Sequence, residues 1–241
     1  MSYFLHTAEL TTGGHDSLTG EEARHALHAR RSKVGEHIEV QTPAGRRYDC
    51  VITGIQKTTL EFTVAQEIST PAEPAVAVTI CLAYINEQAL DICIQKATEL
   101  GAAALTIFPA ANSPHAPKET KLARWQKIST EAAKQCGRRF PLAISTSQSL
   151  EETLTTTSGI RMYTAANAPE SLRLPTPSPT TVCIWVGPEG GFSTEEAHIF
   201  ETHGVQAASL PGYTLRSETA AITAIGVTLS QAAQTSTTPL S

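Results

Sequence analysis

Hydrophobic and polar residues alternate in short runs over the first part of the chain. Residues 37–68 contain several such runs, separated by the turn-like stretches TPAG (42–45) and QK (56–57). This pattern predicts β-strands in a small antiparallel barrel. The stretch just before it, residues 19–33, has helical spacing and acidic residues after Thr19 and Gly20, which predicts one helix. We therefore expect a β-barrel domain over residues 1–70.

After a proline-containing linker (69–78), apolar runs of strand length alternate with longer helical patterns. Strands separated by helices of about ten or more residues predict a mainly parallel sheet that is covered on both faces. Residues 74–241 are thus predicted to form an α/β domain. The predicted strands are 77–84, 103–110, 142–146, 159–165, 181–187 and 206–211, and the predicted helices are 87–101, 118–139 and 217–234.

The stretch GPEGGF (187–192) follows an apolar run and precedes STEE, where Ser193 and Glu196 predict a capping box. Glycine costs backbone entropy, so three glycines here indicate a sharp turn or a close approach of the backbone to a ligand. Neither GxxxxGK[ST] nor GxGxxG is present, and Glu189 would repel a phosphate. The stretch favours a neutral or cationic ligand; the alternative is a tight strand-to-helix connection without a ligand.

A second turn of this kind lies in SLPGYTLRSETA (209–220), where a short apolar run leads to a helix that begins at Ser217. Ligands bind beyond the carboxyl ends of parallel strands. Two glycine turns after neighbouring strands would therefore form a cleft, with Arg216 and Glu218 at its rim. A cation is unfavourable at a helix N-terminus, which indicates a separate role for Arg216. The alternative is a surface arginine paired with a nearby glutamate.

Composition limits the classes of protein that remain. Apolar residues make up 41% and charged residues 17% of the 241 residues, as in ordinary globular proteins. No apolar run reaches the ~18–20 residues of a membrane helix, and MSYFLHTAEL does not resemble a secretion signal. The five cysteines are scattered, without metal-ligand spacing. This predicts reduced thiols in a cytoplasmic protein, with neither a metal site nor a membrane partner.

Basic residues are clustered although the net charge is −5. One group runs from Lys118 to Arg139, and a second lies in the first domain. Two interpretations stay open: solvated surfaces, or a phosphate-binding surface to which both domains contribute. The first group is Lys118, Lys121, Arg124, Lys127, Lys134, Arg138 and Arg139, and the second is Arg24, Arg30, Arg31, Lys33, Arg46 and Arg47.

GPEGGFSTEE followed by LRSETA resembles the RsmE family of ribosomal RNA uridine N3-methyltransferases, within the SPOUT superfamily. The segments 25–40, 95–110 and 124–139 are similar to three further motifs of that family, so the resemblance covers essentially the whole chain. It implies a PUA-like RNA-binding barrel followed by a SPOUT domain with a trefoil knot. It also implies a cytoplasmic homodimer that uses S-adenosylmethionine to methylate N3 of a specific uridine in 16S ribosomal RNA of the small ribosomal subunit.

Carried over by position, the resemblance assigns three sets of residues. Arg216 is the candidate for stabilising negative charge on the uracil or on a nearby phosphate as N3 loses its proton. Glu218 would accept that proton or orient Arg216. The cofactor pocket would comprise Thr164, Gly187, Pro188, Glu189, Gly190, Leu210 and Leu215. The candidate RNA contacts are Arg31, Arg138 and Arg139.

The chain departs from the family pattern in two places. Asn112 stands where the family often has arginine, and Pro211, Tyr213 and Thr214 replace the usual residues of the second turn. Two cations are lost, which would weaken RNA contact, be compensated by Arg138 and Arg139, or shift the target. Two other functions stay open: a SPOUT methyltransferase that acts on another RNA such as tRNA, and a non-catalytic RNA-binding protein of ribosome assembly.

Overall fold

The computed structural model describes residues 3–114 and 121–236, and the chain divides into two compact units. The N-terminal unit comprises Met1–Ala72 together with Ala133–Phe140, and the C-terminal unit comprises Glu73–Ala132 together with Pro141–Ser241. The first boundary falls within the proline-containing stretch 69–78. A return of the chain to the N-terminal unit was not predicted.

The N-terminal unit is built on a five-stranded sheet with the strand order β1-β3-β4-β5-β2. Every pair is antiparallel except β1 with β3, which is parallel and was not predicted. Alternate residues of the longest strands are buried and form the core of this unit, as expected for a half-buried sheet. The strands are β1 (Phe4–Leu5), β2 (His15–Leu18), β3 (His37–Gln41), β4 (Arg47–Ile55) and β5 (Leu60–Ile68).

The helix predicted before this sheet is present but shorter. Helix α1 (Gly20–Arg24) begins after Thr19 and passes directly into one π-helical turn, His25–Ala29. Arg31 follows with a φ of 54°, in the left-handed region. The amide of Ser32 donates to the carbonyl of Ala26 at 3.1 Å, so the chain closes the helix as a C-terminal cap.

The C-terminal unit is a six-stranded sheet in which every pair is parallel, in the order β11-β9-β10-β6-β7-β8. The predicted α/β class is confirmed, whereas the trefoil knot stays a prediction. The strands are β6 (Ala77–Ala83), β7 (Ala104–Phe108), β8 (Ala143–Thr146), β9 (Ile160–Thr164), β10 (Thr181–Val186) and β11 (Gln206–Ala208). The helices are α2 (Glu87–Leu100), α3 (Leu122–Cys136), α4 (Leu150–Thr156), α5 (Thr194–Thr202) and α6 (Ser217–Ser236).

Both faces of this sheet are covered, because the central strands send alternate residues into two different hydrophobic clusters. In β10, Ile184 and Val186 join a cluster that includes residues of α2 and α6, whereas Cys183 and Trp185 join one that includes residues of α4 and α5. The apolar runs are continuous for this reason, as in other buried parallel sheets. Helix α2 illustrates the local signals, since Asn86 caps its start and Gly101 ends it with a φ of 93°.

Helix α4 was not predicted from the sequence. It is short and contains threonines of low helix propensity, so its periodicity is weak. A usable signal was present in Ser149, whose side chain accepts a hydrogen bond from the amide of Glu152. Among the described residues, no helix combines the length and the apolar character that crossing a membrane requires.

Candidate functional site

A cavity of about 440 Å³ lies at the carboxyl ends of the parallel strands in the C-terminal unit. Three segments and the start of α6 enclose it: the residues after β9, the glycine loop after β10, and the loop after β11. This is the edge of a parallel sheet where ligands bind. The expectation that the two glycine turns follow neighbouring strands is wrong, because β9 lies between β10 and β11. The lining residues are Thr164, Ala165, Ala166, Asn167, Val186, Gly187, Pro188, Glu189, Gly191, Leu210, Gly212, Tyr213, Thr214, Leu215, Ser217 and Ala220.

The glycine loop is a tight turn that an aromatic side chain anchors from below. The amide of Gly191 donates to the carbonyl of Pro188 at 2.8 Å, and Gly191 has a φ of 70°, which favours glycine. The ring of Phe192 packs against Tyr163 and Phe200, at centroid distances of 6.0 and 4.9 Å. A Cβ at Gly187 would lie 3.4 Å from that ring, at the limit of ordinary van der Waals contact, so the ring packs directly against the loop backbone.

The loop after β7 supports the glycine loop through a side chain that replaces the family's usual residue. Nδ2 of Asn112 donates to the carbonyl oxygens of Gly191 at 3.0 Å and of Gly190 at 3.3 Å. A Cβ at Gly190 would lie 3.1 Å from the Cβ of Asn112, which is tighter than ordinary packing. The departure at Asn112 therefore contributes a direct contact with the backbone of the glycine loop.

The capping box predicted at the start of α5 is confirmed, and Glu196 also performs a second task. Its Oε2 accepts a hydrogen bond from the amide of Ser193 at 2.8 Å, while Oε1 accepts one from the amide of Ala111 at 2.8 Å. Glu196 is only 8% exposed. One buried carboxylate thus connects the helix start, which follows the glycine loop, to the loop that carries Asn112.

The loop after β11 turns at Gly212, whose φ is 102°. Leu210 and Leu215, on either side of the turn, are half-buried and pack against the core of this unit. Between them, Tyr213 is 95% exposed although it lines the cavity. The loop is thus anchored at both ends and presents an aromatic side chain at its tip.

Arg216 and Glu218 lie where this loop enters α6, but neither is among the residues lining the cavity. The carbonyl of Arg216 accepts the amide of Ala220 at 2.8 Å, and its side chain is exposed. In the part of the chain that the structure describes, Arg216 forms no ion pair with Glu218 or another carboxylate. The expected orienting contact between these two side chains is therefore absent from the structure.

Of the seven residues assigned to a cofactor, six line this one cavity: Thr164, Gly187, Pro188, Glu189, Leu210 and Leu215. Gly190 contacts Asn112 instead, and its neighbour Gly191 lines the cavity. Sequence reasoning missed Asn167 and assigned no role to Tyr213. The composition of the segment after β9 contained no signal for Asn167, whereas Tyr213 was visible as a departure from the family pattern.

Four of the clustered cations pair with carboxylates within the same unit. Lys121 pairs with Glu87, Arg124 with Asp91, Arg46 with Glu67, and Lys134 with Glu22, the last at 2.8 Å. The side chain of Lys134 is only 3% exposed. For these cations the interpretation as a phosphate-binding surface is not supported. Lys118 lies outside the described residues.

Arg47 also has a structural role. Its guanidinium lies 3.9 Å from the centre of the Tyr3 ring, and Nη2 donates to Oε1 of Gln41 at 2.8 Å and to the carbonyl of Gly137 at 3.2 Å. These contacts hold the segment 133–140 within the N-terminal unit.

The three candidate RNA contacts all belong to the N-terminal unit. Arg31 is exposed at the left-handed cap that follows the π-helical turn. Arg138 and Arg139 are half-buried, and Nη2 of Arg139 donates to the carbonyl of Ala44 at 3.1 Å. The main chain of both is fixed, since the carbonyl of Arg138 accepts the hydroxyl of Tyr3 at 2.8 Å and that of Arg139 accepts Nε2 of Gln41 at 2.7 Å.

The cysteines contribute no reactive group to this site. All five are free thiols. Cys93, in α2, lies beside the start of α6, where its Sγ donates to the carbonyl of Glu218 at 3.8 Å. Burial, with a smaller contribution from the Glu218 carboxylate, raises the pKa of Cys93 to about 12. The thiol is therefore protonated at neutral pH. Within residues 3–114 and 121–236, no three His, Cys, Asp or Glu side chains are grouped as metal ligands.

Comparisons with known proteins agree with this geometry. Residues 72–229 match the model of an RNA methyltransferase domain, and residues 18–65 match that of an RNA methyltransferase PUA domain. The chain is 27% identical to the ribosomal RNA small subunit methyltransferase E of Aquifex aeolicus over 213 residues, covering 86% of this chain and 90% of the relative. It is also 27% identical to the Bacillus subtilis protein of that name over 224 residues, covering 87% of each.

Among solved structures, a ribosomal RNA small subunit methyltransferase E from Neisseria gonorrhoeae, bound to S-adenosyl methionine, superimposes with a TM-score of 0.85. It is 25% identical, and the match covers 95% of this chain and 97% of that one.

Proposed function

The chain belongs to the RNA methyltransferase family, and from this membership we propose that it transfers a methyl group from S-adenosylmethionine to N3 of a uridine in 16S ribosomal RNA. The names of the relatives support this substrate, since they are ribosomal RNA small subunit methyltransferases. The observation on which the proposal rests is the cavity enclosed by the glycine loop and the loop after β11.

The chemistry of this cavity fits the proposed cofactor. Its volume of about 440 Å³ lies within the range typical of ligand sites. Among the described residues that line it, none carries a cationic side chain and Glu189 is the only carboxylate. Such walls disfavour a phosphate and favour a sulfonium cation. The glycine loop and the apolar groups of Leu210, Leu215 and Ala220 would hold the cofactor, which when bound supplies an electrophilic methyl group.

The side chains near α6 would act on the other substrate. As uridine N3 loses its proton, negative charge develops on the base, and a cation close to the uracil oxygens stabilises that charge. We assign this task to Arg216, whose exposed side chain carries no competing ion pair in the described residues. Glu218, which has no ion pair with Arg216, is assigned the role of accepting the proton directly or through one water.

We further propose that Arg31, Arg138 and Arg139 contact the RNA backbone and that the active protein is a cytoplasmic homodimer. The exposure of Arg31 and the fixed main chain of Arg138 and Arg139 support the first point. Support for a dimer is the long helix α6, on which Ile222, Val227 and Leu229 are only half-buried. Sedimentation of the purified protein tests this assembly.

The decisive experiment maps modified nucleosides by mass spectrometry in 16S ribosomal RNA from cells with and without the protein. Loss of 3-methyluridine at one site, restored by the purified protein with S-adenosylmethionine and small subunits from the deficient cells, is expected. Isothermal calorimetry with the cofactor alone accompanies it. Methylation found in tRNA would support another RNA target, and the absence of any binding heat would indicate a non-catalytic RNA-binding protein.

A further inference from the structure

Tyr213 differs from every other tyrosine in the chain. Tyr3, Tyr48 and Tyr84 are at most 4% exposed, and Tyr163 stacks on Phe200 at a centroid distance of 4.5 Å. Tyr213 is 95% exposed. Among the described residues, its ring contacts no other ring or cation, and its hydroxyl forms no hydrogen bond. A large aromatic surface is thus presented to solvent at no benefit to the folded unit.

The backbone on either side of Tyr213 is constrained. Pro211 restricts its own φ. Gly212 takes a φ of 102°, which favours glycine, although no neighbouring atom occupies the position of a Cβ. Leu210 and Leu215 fix the two sides of the turn in the core. The tip is thus a short, anchored loop in which the ring at residue 213 stands at the mouth of the cavity.

We propose that Tyr213 is the surface on which the target pyrimidine stacks after it leaves the RNA helix. This inference rests on the proposed function, and it adds a substrate-positioning residue to that function. An enzyme that modifies a ring atom of a paired base must take that base out of the stack, and aromatic side chains then receive its face. Tyr213 is the residue at this cavity that offers an unused aromatic face, three positions before Arg216.

The cofactor's adenine is the competing occupant, and the position of the ring disfavours it. Aliphatic groups of Leu210, Leu215 and Ala220 line the same cavity and can enclose a flat ring without Tyr213. Tyr213 is 95% exposed, so its ring makes little contact with these aliphatic groups. Its free face is therefore assigned to the substrate that arrives second.

The test is a double-mutant cycle between Tyr213 and the target base. The shortest 16S fragment that the wild-type protein methylates is prepared with uridine or with an abasic nucleotide at the mapped site. Fluorescence anisotropy measures the binding of both RNAs by wild type, Tyr213→Ala and Tyr213→Phe. Stacking of one base on an aromatic side chain corresponds to roughly 5- to 160-fold in affinity. We expect the wild type and Tyr213→Phe to prefer the uridine RNA by such a factor, and Tyr213→Ala to bind both RNAs equally.

A matched control is Ile92→Ala, which removes another exposed apolar side chain, 46% exposed, on α2 of the same unit. It is expected to keep the full preference for uridine. Equal weakening of both RNAs by Tyr213→Ala would overturn the inference, because the contact would then lie away from the target base. A parallel loss of cofactor affinity would indicate that the ring of Tyr213 contacts the adenine instead. A shift towards monomer in sedimentation would indicate that it lies in a subunit interface.

These outcomes are distinguishable from failure of the proposed function. If the wild-type protein methylates no 16S fragment and no small subunit, the proposed function fails before any variant is made. If the wild type is active and the cycle shows no coupling between Tyr213 and the base, only the inference fails.

Discussion

Replacing Asn112 by alanine is expected to weaken binding of S-adenosylmethionine while leaving the fold intact. The side chain lies outside the cavity lining and touches the glycine loop only through its amide group, at 3.0 Å from the Gly191 carbonyl and 3.3 Å from that of Gly190. Without the Asn112 amide, the loop must be ordered when the cofactor binds, and the cost of this ordering makes the binding free energy less favourable.

The magnitude follows from those two contacts. One amide group is shared between two carbonyls at an exposed position, so we count it as a single neutral hydrogen bond, with a net value of about 0.5–1.5 kcal/mol. If that contact is needed mainly in the bound conformation, the Kd for the cofactor rises about 2- to 12-fold. Gly190→Val should act in the same direction, because a Cβ at residue 190 would lie 3.1 Å from the Cβ of Asn112.

Isothermal calorimetry measures this effect, and the chain offers a matched control. Asn86 caps α2 by accepting the amide of Ala89 at 3.0 Å. Asn86→Ala should lower the melting temperature with a loss of about 1 kcal/mol, and leave the cofactor Kd unchanged. An Asn112→Ala protein with wild-type affinity would refute the supporting role of Asn112. So would an affinity loss that merely follows a fall in the melting temperature.

Three further predictions concern Arg216, Arg31 and Glu22. Arg216→Ala should lower kcat by about 10²-fold or more, as for the loss of a charge-stabilising group, with an unchanged calorimetric Kd for the cofactor; a parallel loss of both would place the arginine in the cofactor site. Arg31→Gly should raise the unfolding free energy in urea by about 0.5–1 kcal/mol, because relief of the left-handed φ of 54° (about 1–2 kcal/mol) exceeds the entropy cost of glycine (about 0.5–1 kcal/mol), while RNA binding weakens. Arg30→Gly, at a helical φ of −89°, should only destabilise. Glu22→Ala should cost about 3–5 kcal/mol of unfolding free energy, because it removes the carboxylate that pairs with the buried ammonium of Lys134. Glu151→Ala, at an exposed position in the first turn of α4, is the control, and equal stability of the two variants would contradict this account.

The elements with strong periodicity were predicted from the sequence. The runs of β6 and β10 are continuously apolar because both faces are buried, and α2 has an amide cap and a terminal glycine. Helix α4 lacked such periodicity. Strands β1 and β2 span two and four residues, too few for alternation to be recognised, and they exist only because the neighbouring strands supply partners.

The sequence predicted the parts of the site where the backbone conformation requires glycine or proline. Glycine and proline indicated two turns, but their assembly around the end of β9 depends on strand order, which no local pattern contains. Asn112 could be flagged only as a departure, because its partners are carbonyl groups distant in sequence. Clustered charge misled in a similar way, since Lys134 and Arg124 have partners that sequence spacing does not reveal.

The aromatic packing beneath the glycine loop includes a tryptophan, whose fluorescence depends on its surroundings. Phe192, which ends the loop, contacts Phe200, whose ring lies 5.8 Å from that of Trp185. The chain has two tryptophans, and the other, Trp125, belongs to the cluster on the opposite side of the sheet. In a Trp125→Phe protein, Trp185 would be the single tryptophan, and its emission would report on the packing beneath the glycine loop without any attached dye.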